Sequence, residues 1–152
     1  MTTGISKIMV GIDGSKESVN AADHAIAIAK RHNAELIAVN VLTSDIGYAY
    51  SSPGVESLPL TIRDVILLAE DEVKKWFDDI KKSADASGIQ FRSEIIMAKR
   101  SAVSTMLDYA EEQNINLIVV GTRGRSGIKK MLLGSVASGL VTYAACPVLV
   151  AK

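Results

Sequence analysis

The chain has 152 residues, 48% of them hydrophobic, and its 17 basic and 17 acidic residues leave no formal net charge at pH 7. This balance gives no global argument for a nucleic-acid or anionic-membrane partner, and the length indicates one domain over residues 1–152. The single cysteine, Cys146, excludes an intramolecular disulfide and fits a reducing compartment. Because no apolar run could span a bilayer and the first residues do not resemble a signal peptide, we expect a cytoplasmic protein.

The first part of the chain predicts a strand, a helix and a second strand. Residues 8–12 predict strand one, and a glycine turn then leads into a helix with Ser15 as its N-cap and Asn33 as its left-handed C-terminal residue. The predicted apolar face of this helix consists of Val19, Ala22, Ile26 and Ala29. Residues 36–42 predict strand two. Residues 43–60 contain no periodic pattern and predict a long loop, and such loops are often functional.

The remaining elements continue the alternation. Apolar residues spaced by three and four predict a long amphipathic helix that starts at residue 62 and stops at Gly88. Residues 89–97 alternate as a half-covered strand at a sheet edge does, and a shorter helix then ends at Asn114. Residues 117–120 predict a strand buried on both faces, and a last helix and a short strand over residues 147–151 follow. This order predicts a mainly parallel sheet with helices on both faces.

The stretch after the fourth strand predicts an anion site. It contains four cations and no acidic residue between positions 123 and 130: Arg123, Arg125, Lys129 and Lys130. Gly134 and Ser135 then precede the last helix, with Ser135 as the predicted N-cap and with Val136, Leu140, Tyr143 and Ala144 as the predicted apolar face. A turn or a cap alone is common in any protein, but a cationic glycine loop followed by a helix N-terminus favours phosphate.

The pattern Gly121-x2-Gly124-x9-Gly134-Ser135 resembles the nucleotide-binding signature G-x2-G-x9-G-[ST] of the universal stress protein family, with every fixed position matched. The resemblance extends from KIMVGIDGS to CPVLVAK, over nearly the whole chain. It implies a three-layer, doubly wound, Rossmann-like α/β fold with a mainly parallel five-stranded sheet in the order 3-2-1-4-5. Residues 8–14 and 118–124 share the pattern I-x-V-G-x-x-G, which is coherent with strands one and four flanking one crevice.

The same resemblance implies ATP as the ligand, together with Mg²⁺ or Mn²⁺. Asp13 would accept a hydrogen bond from the ribose or hold the metal that rides on the phosphates, and its alternative role is an Asx turn that caps the first helix. Ile12 and Val41 would lie beside the adenine, or else serve only in the core. The other implied contacts come from the second glycine turn and the helix start: Gly121, Thr122, Gly124, Arg125, Gly134, Ser135 and Val136. For Arg125, as for Arg123, a solvated loop cation is an equally good interpretation.

No catalytic residue is predicted, because residues 122–138 contain no Asp, Glu or His that could act as a general base. The hypothesis is therefore an ATP-binding universal stress protein with a regulatory role in the stress response and little or no catalysis. Two alternatives stay open: a slow ATPase or other nucleotide-handling enzyme, and a binder of cyclic AMP with the same fold.

The apolar strand over residues 147–151 would leave an unpaired sheet edge, which predicts a homodimer through that strand.

Overall fold

The structure, a computed structural model, describes residues 4–43, 61–122 and 133–152. Strands and helices alternate along these residues, and every predicted element is present with its ends shifted by at most two residues. The elements are β1 Lys7–Gly11, α1 Lys16–His32, β2 Glu35–Leu42, α2 Ile62–Ala86, β3 Phe91–Met97, α3 Ala102–Glu112, β4 Leu117–Gly121, α4 Ser135–Tyr143 and β5 Val148–Ala151. The predicted loop over residues 43–60 lies outside the described residues, apart from Thr43.

The five strands form one sheet in the order β3-β2-β1-β4-β5, and all neighbours are parallel. This confirms the predicted order. The chain proceeds from β1 towards β2 and β3 on one side, and it later returns to β4 and β5 on the other side. The turns after β1 and β4 therefore leave neighbouring strands in different directions, and a crevice opens at the carboxyl ends of these strands.

Side-chain alternation in β1 divides the core into two halves. Ile8 and Val10 pack in the core that includes α1 and α2, whereas Met9 packs on the opposite face with α3 and α4. All three side chains are fully buried. Burial of apolar side chains on both faces of the sheet is the main stabilising contribution expected for this three-layer arrangement.

Two residues predicted to face the core are exposed instead. Val19 of α1 is 52% exposed and Tyr143 of α4 is 73% exposed. In α1 the buried face is composed mainly of small residues: Ser18, Ala21, Ala22, Ala25, Ile26 and Ala29. Val19 lies in the first turn, off the centre of that face, and Tyr143 is the last residue of α4, so a pattern of spacings alone assigned both wrongly.

The outer strand β3 is a half-covered strand at the sheet edge, as its sequence predicted. Arg92 donates from Nε to Glu35 Oε1 of β2 at 2.5 Å and from Nη2 to Gln113 Oε1 after α3 at 2.7 Å. Burial, followed by interaction with Glu94, raises the pKa of the neighbouring Tyr109 to about 12. Tyr109 therefore stays neutral at ordinary pH, and the edge is held by a polar network rather than left as an apolar surface.

Helix α1 lies directly against the end of β4. A Cβ atom added to Gly121 would fall 2.7 Å from Cβ of Glu17 and 2.8 Å from its carbonyl carbon. These distances are too short for non-bonded carbon atoms, and the backbone carbon cannot move aside as a flexible side chain can. The absence of a side chain at Gly121 is therefore a packing requirement.

We expect Gly121→Ala to lower the free energy of unfolding by about 1–3 kcal/mol, the usual cost of forcing an extra methyl group into a packed interior. Gly4→Ala is the matched control, because a Cβ at Gly4 meets no atom within 4 Å. Urea unfolding of both variants, without ligand, measures the difference. Equal stability of the two variants would contradict the packing requirement at Gly121.

Candidate functional site

The candidate site is the crevice at the carboxyl ends of β1 and β4. Backbone pairing extends one residue beyond each of these strands, since the Ile12 N–H donates to the Val39 carbonyl at 2.9 Å and the Thr122 N–H donates to the Ala151 carbonyl at 3.1 Å. The chain leaves the sheet at Asp13 on one side and after Thr122 on the other. The two predicted ligand-binding turns thus begin from neighbouring, rigidly paired strands.

Asp13 forms the Asx turn that was its alternative role. Its Oδ1 accepts from the Ser15 N–H at 2.9 Å and from the Ser15 hydroxyl at 2.5 Å. The Ser15 hydroxyl oxygen in turn accepts from the Ser18 N–H at 3.1 Å, which confirms Ser15 as the N-cap of α1. This network orients the carboxylate at the mouth of the crevice. A contact of Asp13 with ribose or metal stays a prediction.

A tryptophan supports this turn from below. Gly14 has a φ of +82°, a conformation that side chains rarely adopt, and an added Cβ would lie 2.3 Å from the Trp76 ring. The sequence placed Trp76 only on an amphipathic helix. The contact of Trp76 with the turn depends on how α2 crosses the sheet, and the local sequence pattern does not predict that crossing.

Helix α4 begins one residue earlier than predicted. Its N-cap is Gly134, with φ −59° and ψ 162°, and Ser135 is the first helical residue. The Gly134 N–H donates to the Thr122 carbonyl at 2.7 Å, and this bond holds Gly134 in an extended conformation, so the prediction of Ser135 as N-cap was wrong. The N-cap residue makes no side-chain hydrogen bond to the helix, and none of the described side chains caps it. The N–H groups of Ser135 and Val136, in the first helical turn, have no acceptor within the helix.

The two residues predicted beside the adenine lie on opposite faces of the sheet. Ile12 is 3% exposed and belongs to the core with α1 and α2, whereas Val41 is partly exposed and packs with α3 and α4. The Ile12 side chain therefore serves in the core, which was the alternative to a contact with adenine. Val41 keeps an open side near the carboxyl end of β2.

Asn40, a buried polar residue that the sequence pattern did not single out, is bonded to the end of β1. This β2 residue is 7% exposed, and its Nδ2 donates to the Ile12 carbonyl at 2.8 Å. Its Oδ1 is buried without a hydrogen-bond partner. The available signal was a polar side chain inside the apolar run AVNVL, because buried polar groups are nearly always hydrogen-bonded.

Gly124 and Arg125, with the neighbouring Arg123, lie outside the described residues. Within residues 4–43, 61–122 and 133–152, no cluster of three or more His, Cys, Asp or Glu side chains could hold a metal ion. Over the same ranges, none of the helices is both long and apolar enough to cross a membrane.

The two serines predicted as N-caps should respond differently to removal of the hydroxyl. Ser15→Ala is expected to lower the free energy of unfolding by about 1 kcal/mol, because its Oγ caps α1. Ser135→Ala should change stability by less than about 0.5 kcal/mol, because Ser135 is exposed and does not cap α4. Chemical denaturation without nucleotide compares them. A larger loss for Ser135→Ala would show that the capping assignment is wrong.

The fold and the crevice define a Rossmann-like α/β protein whose candidate site lies where the order of the parallel strands reverses. Residues 4–152 match the family model described as "Universal stress protein family". The chain belongs to the universal stress protein family.

Two relatives illustrate this membership. Universal stress protein YxiE of Bacillus subtilis is 36% identical over 151 residues, which cover 97% of this chain and 99% of the relative. Universal stress protein MJ0531 of Methanocaldococcus jannaschii is 36% identical over 146 residues, which cover 96% of this chain and 81% of the relative.

Solved structures of similar fold include three universal stress proteins. UspA from Lactobacillus plantarum is 26% identical with a TM-score of 0.75, and the match covers 98% of this chain and 99% of that one. A universal stress protein in complex with cAMP is 24% identical with a TM-score of 0.66, covering 98% of both chains. A family protein from Arabidopsis thaliana with AMP bound is 18% identical with a TM-score of 0.67, covering 97% of this chain and 91% of that one.

Proposed function

We propose that the crevice at the ends of β1 and β4 binds an adenine nucleotide, with ATP as the ligand. One observation carries the proposal: the 2.7 Å bond from the Gly134 N–H to the Thr122 carbonyl joins the start of α4, whose N-cap Gly134 offers no capping side chain, to the end of β4. Unpaired N–H groups at a helix start attract phosphate. The nucleotides bound by structural neighbours, cAMP and AMP, both contain adenosine and phosphate.

Each part of the crevice then has a distinct role in the proposal. The phosphates face the N–H groups of Ser135 and Val136, while Gly124 and Arg125 belong to the loop that would pass beside them. Asp13 accepts from the ribose or holds Mg²⁺ or Mn²⁺ through the phosphates. Val41, which keeps an open side, covers the base. Ile12 serves in the core, since its side chain is 3% exposed and its N–H and carbonyl are both bonded to β2.

The proposed role is regulatory. The protein would act in the cytoplasm in the stress response, a partner would bind its nucleotide-bound and nucleotide-free states with different affinity, and there would be little or no catalysis. Asp13 Oδ1 already accepts two hydrogen bonds from Ser15, which makes this carboxylate a poor general base. Slow ATP hydrolysis remains the enzymatic alternative, and phosphate release from ATP measures it. Cyclic AMP is the other alternative ligand, and parallel calorimetric titrations with ATP, AMP and cAMP rank the three.

The test of the nucleotide site is Gly134→Val. The backbone of Gly134 has a conformation open to any residue, so the fold and the N–H bond to Thr122 should survive the change. The branched side chain would stand at the start of α4, where the phosphates are expected. We predict that ATP affinity in calorimetric titration falls at least about tenfold, equivalent to about 1.4 kcal/mol.

Ser135→Ala is the matched control, because it keeps every backbone N–H and leaves the space in front of the helix open. Thermal melts with and without ATP check the result, since a ligand that binds only the folded state raises apparent stability. Undiminished ATP affinity in a well-folded Gly134→Val protein would mean that the start of α4 does not bind the phosphates.

We also infer a homodimer that pairs through β5. The carbonyls of Pro147 and Ala151 accept from β4, so by alternation the backbone groups of Val148 and Val150 point away from the sheet. The side chains of Val148, Leu149 and Val150 are only partly buried in the single chain. The opposite edge, β3, exposes Arg92, Ser93 and Glu94 and is tied to its neighbours through Arg92, so β5 is the edge that needs a partner.

Val150→Pro tests this interface because proline removes the outward N–H of residue 150 and leaves the N–H groups that face β4 in place. We predict that light scattering after size-exclusion chromatography gives a dimeric mass for the unmodified protein and a monomeric mass for Val150→Pro. Val150→Ala, which shortens the same side chain but keeps the N–H, should stay dimeric. A dimeric Val150→Pro protein would place the interface elsewhere.

A further inference from the structure

The amino-terminal part of α2 projects beyond the sheet. The 25 residues of α2 form a helix about 37 Å long, whereas the seven residues of β3 span about 23 Å. Because α2 returns from the carboxyl end of β2 to the amino end of β3, its excess length lies past the carboxyl ends of the strands. The contact of Trp76 with Gly14, in the turn after β1, agrees with this. About nine residues, 62–70, therefore form a projecting segment.

The projecting segment is apolar on every side. Val65, Ile66, Leu67 and Leu68 follow one another, and because successive residues lie about 100° apart around a helix, this run surrounds the helix axis. Ala69, on the inner side, is 4% exposed, whereas Leu67 and Leu68 are 48% and 44% exposed. A helix that is apolar all round is normally buried, and contiguous exposed apolar residues mark interaction sites. The outer side of the projecting segment therefore has the character of an interface.

Acidic side chains bracket the exposed pair Leu67 and Leu68. Asp64 precedes both leucines by about one helical turn and Asp71 follows them by about one turn, so both carboxylates lie beside the apolar pair. Asp71 forms no ion pair with any residue that the structure describes. Residues 62–72 contain four acidic residues and one basic residue. The exposed apolar surface thus lies in a negative local field.

We propose that the outer side of the projecting segment binds an amphipathic helix of a partner protein, whose apolar stripe is flanked by lysine or arginine. The side chains of one helix pack between those of another, and basic flanks complement Asp64 and Asp71. A second copy of this chain fits poorly, because a two-fold axis at the leucines brings the acidic groups of both copies together. This docking surface does not depend on nucleotide binding, and it supplies the partner that the proposed regulatory role requires.

The probe is a fluorescein-labelled synthetic peptide of leucine and lysine, about 18 residues long so that a helix can form, with leucines spaced by three and four. Fluorescence anisotropy without nucleotide measures its affinity for the full chain. We expect a dissociation constant on the order of micromolar. Two control peptides, one with the same composition in scrambled order and one with glutamate in place of lysine, should bind at least about tenfold more weakly. Equal binding of either control, or no binding of the leucine–lysine peptide, overturns the inference.

Variants locate the binding on α2. Leu67→Gln combined with Leu68→Gln removes the exposed apolar pair and should weaken binding of the leucine–lysine peptide at least about tenfold. Met97→Gln, a similar change at a 49% exposed residue of β3, should keep the affinity within about twofold. Asp71→Lys should weaken binding about fivefold more than Glu112→Lys, because the second variant changes the net charge equally but lies on α3, across the sheet.

Circular dichroism checks that each variant is folded. If the double leucine variant does not fold, the comparison of Asp71→Lys with Glu112→Lys decides alone. Unchanged affinity in a folded double leucine variant, or equal effects of the two lysine variants, would show that the peptide binds elsewhere. Light scattering tests the second copy as occupant. A double leucine variant that is monomeric, when the unmodified protein is dimeric, would assign the surface to self-association and contradict the proposed partner.

Discussion

The parallel pairing of β1 with β2 on one side and β4 on the other is the constraint on which the rest of the structure depends. Because β1 is paired on both sides and covered on both faces, only its two ends are free. The polar turn that follows β1 therefore lies at its carboxyl end. Because β4 runs parallel beside it, a second turn emerges at the same level. The crevice between these turns follows from the topology before any side chain in it is considered.

Most of the fold was predictable because its signals are local or shared with the family. Spacing of apolar residues located every helix and strand, and Ser15 and Asn33 marked the ends of α1 correctly. The strand order was predicted from the family resemblance, because the spacing of apolar residues in a strand does not indicate which strands will pair with it. Val19 and Tyr143 show where periodicity fails: a helix end can lie beyond the surface that the helix covers.

The site was less predictable, since its details depend on contacts between distant residues. The sequence favours Ser135 as the cap, and Gly134 takes that position because its N–H bonds to the Thr122 carbonyl, twelve positions before it. Ile12 and Val41 were assigned to one base, yet the alternation of the strands puts them on opposite faces. The Asn40 amide reaches the Ile12 carbonyl only because β2 lies beside β1. In each case the local sequence indicates that a residue is suited to a contact, and the tertiary structure determines which contact it makes.

The close approach of α1 to β4 at Gly121 has a kinetic consequence. Glu17 and Gly121 meet almost backbone to backbone, so the start of α1 and the end of β4 cannot move closer. The two walls of the crevice are preorganised relative to each other. For the proposed nucleotide we therefore expect no conformational cost from these two elements, and an association rate set by diffusion and orientation rather than by an opening step of the sheet.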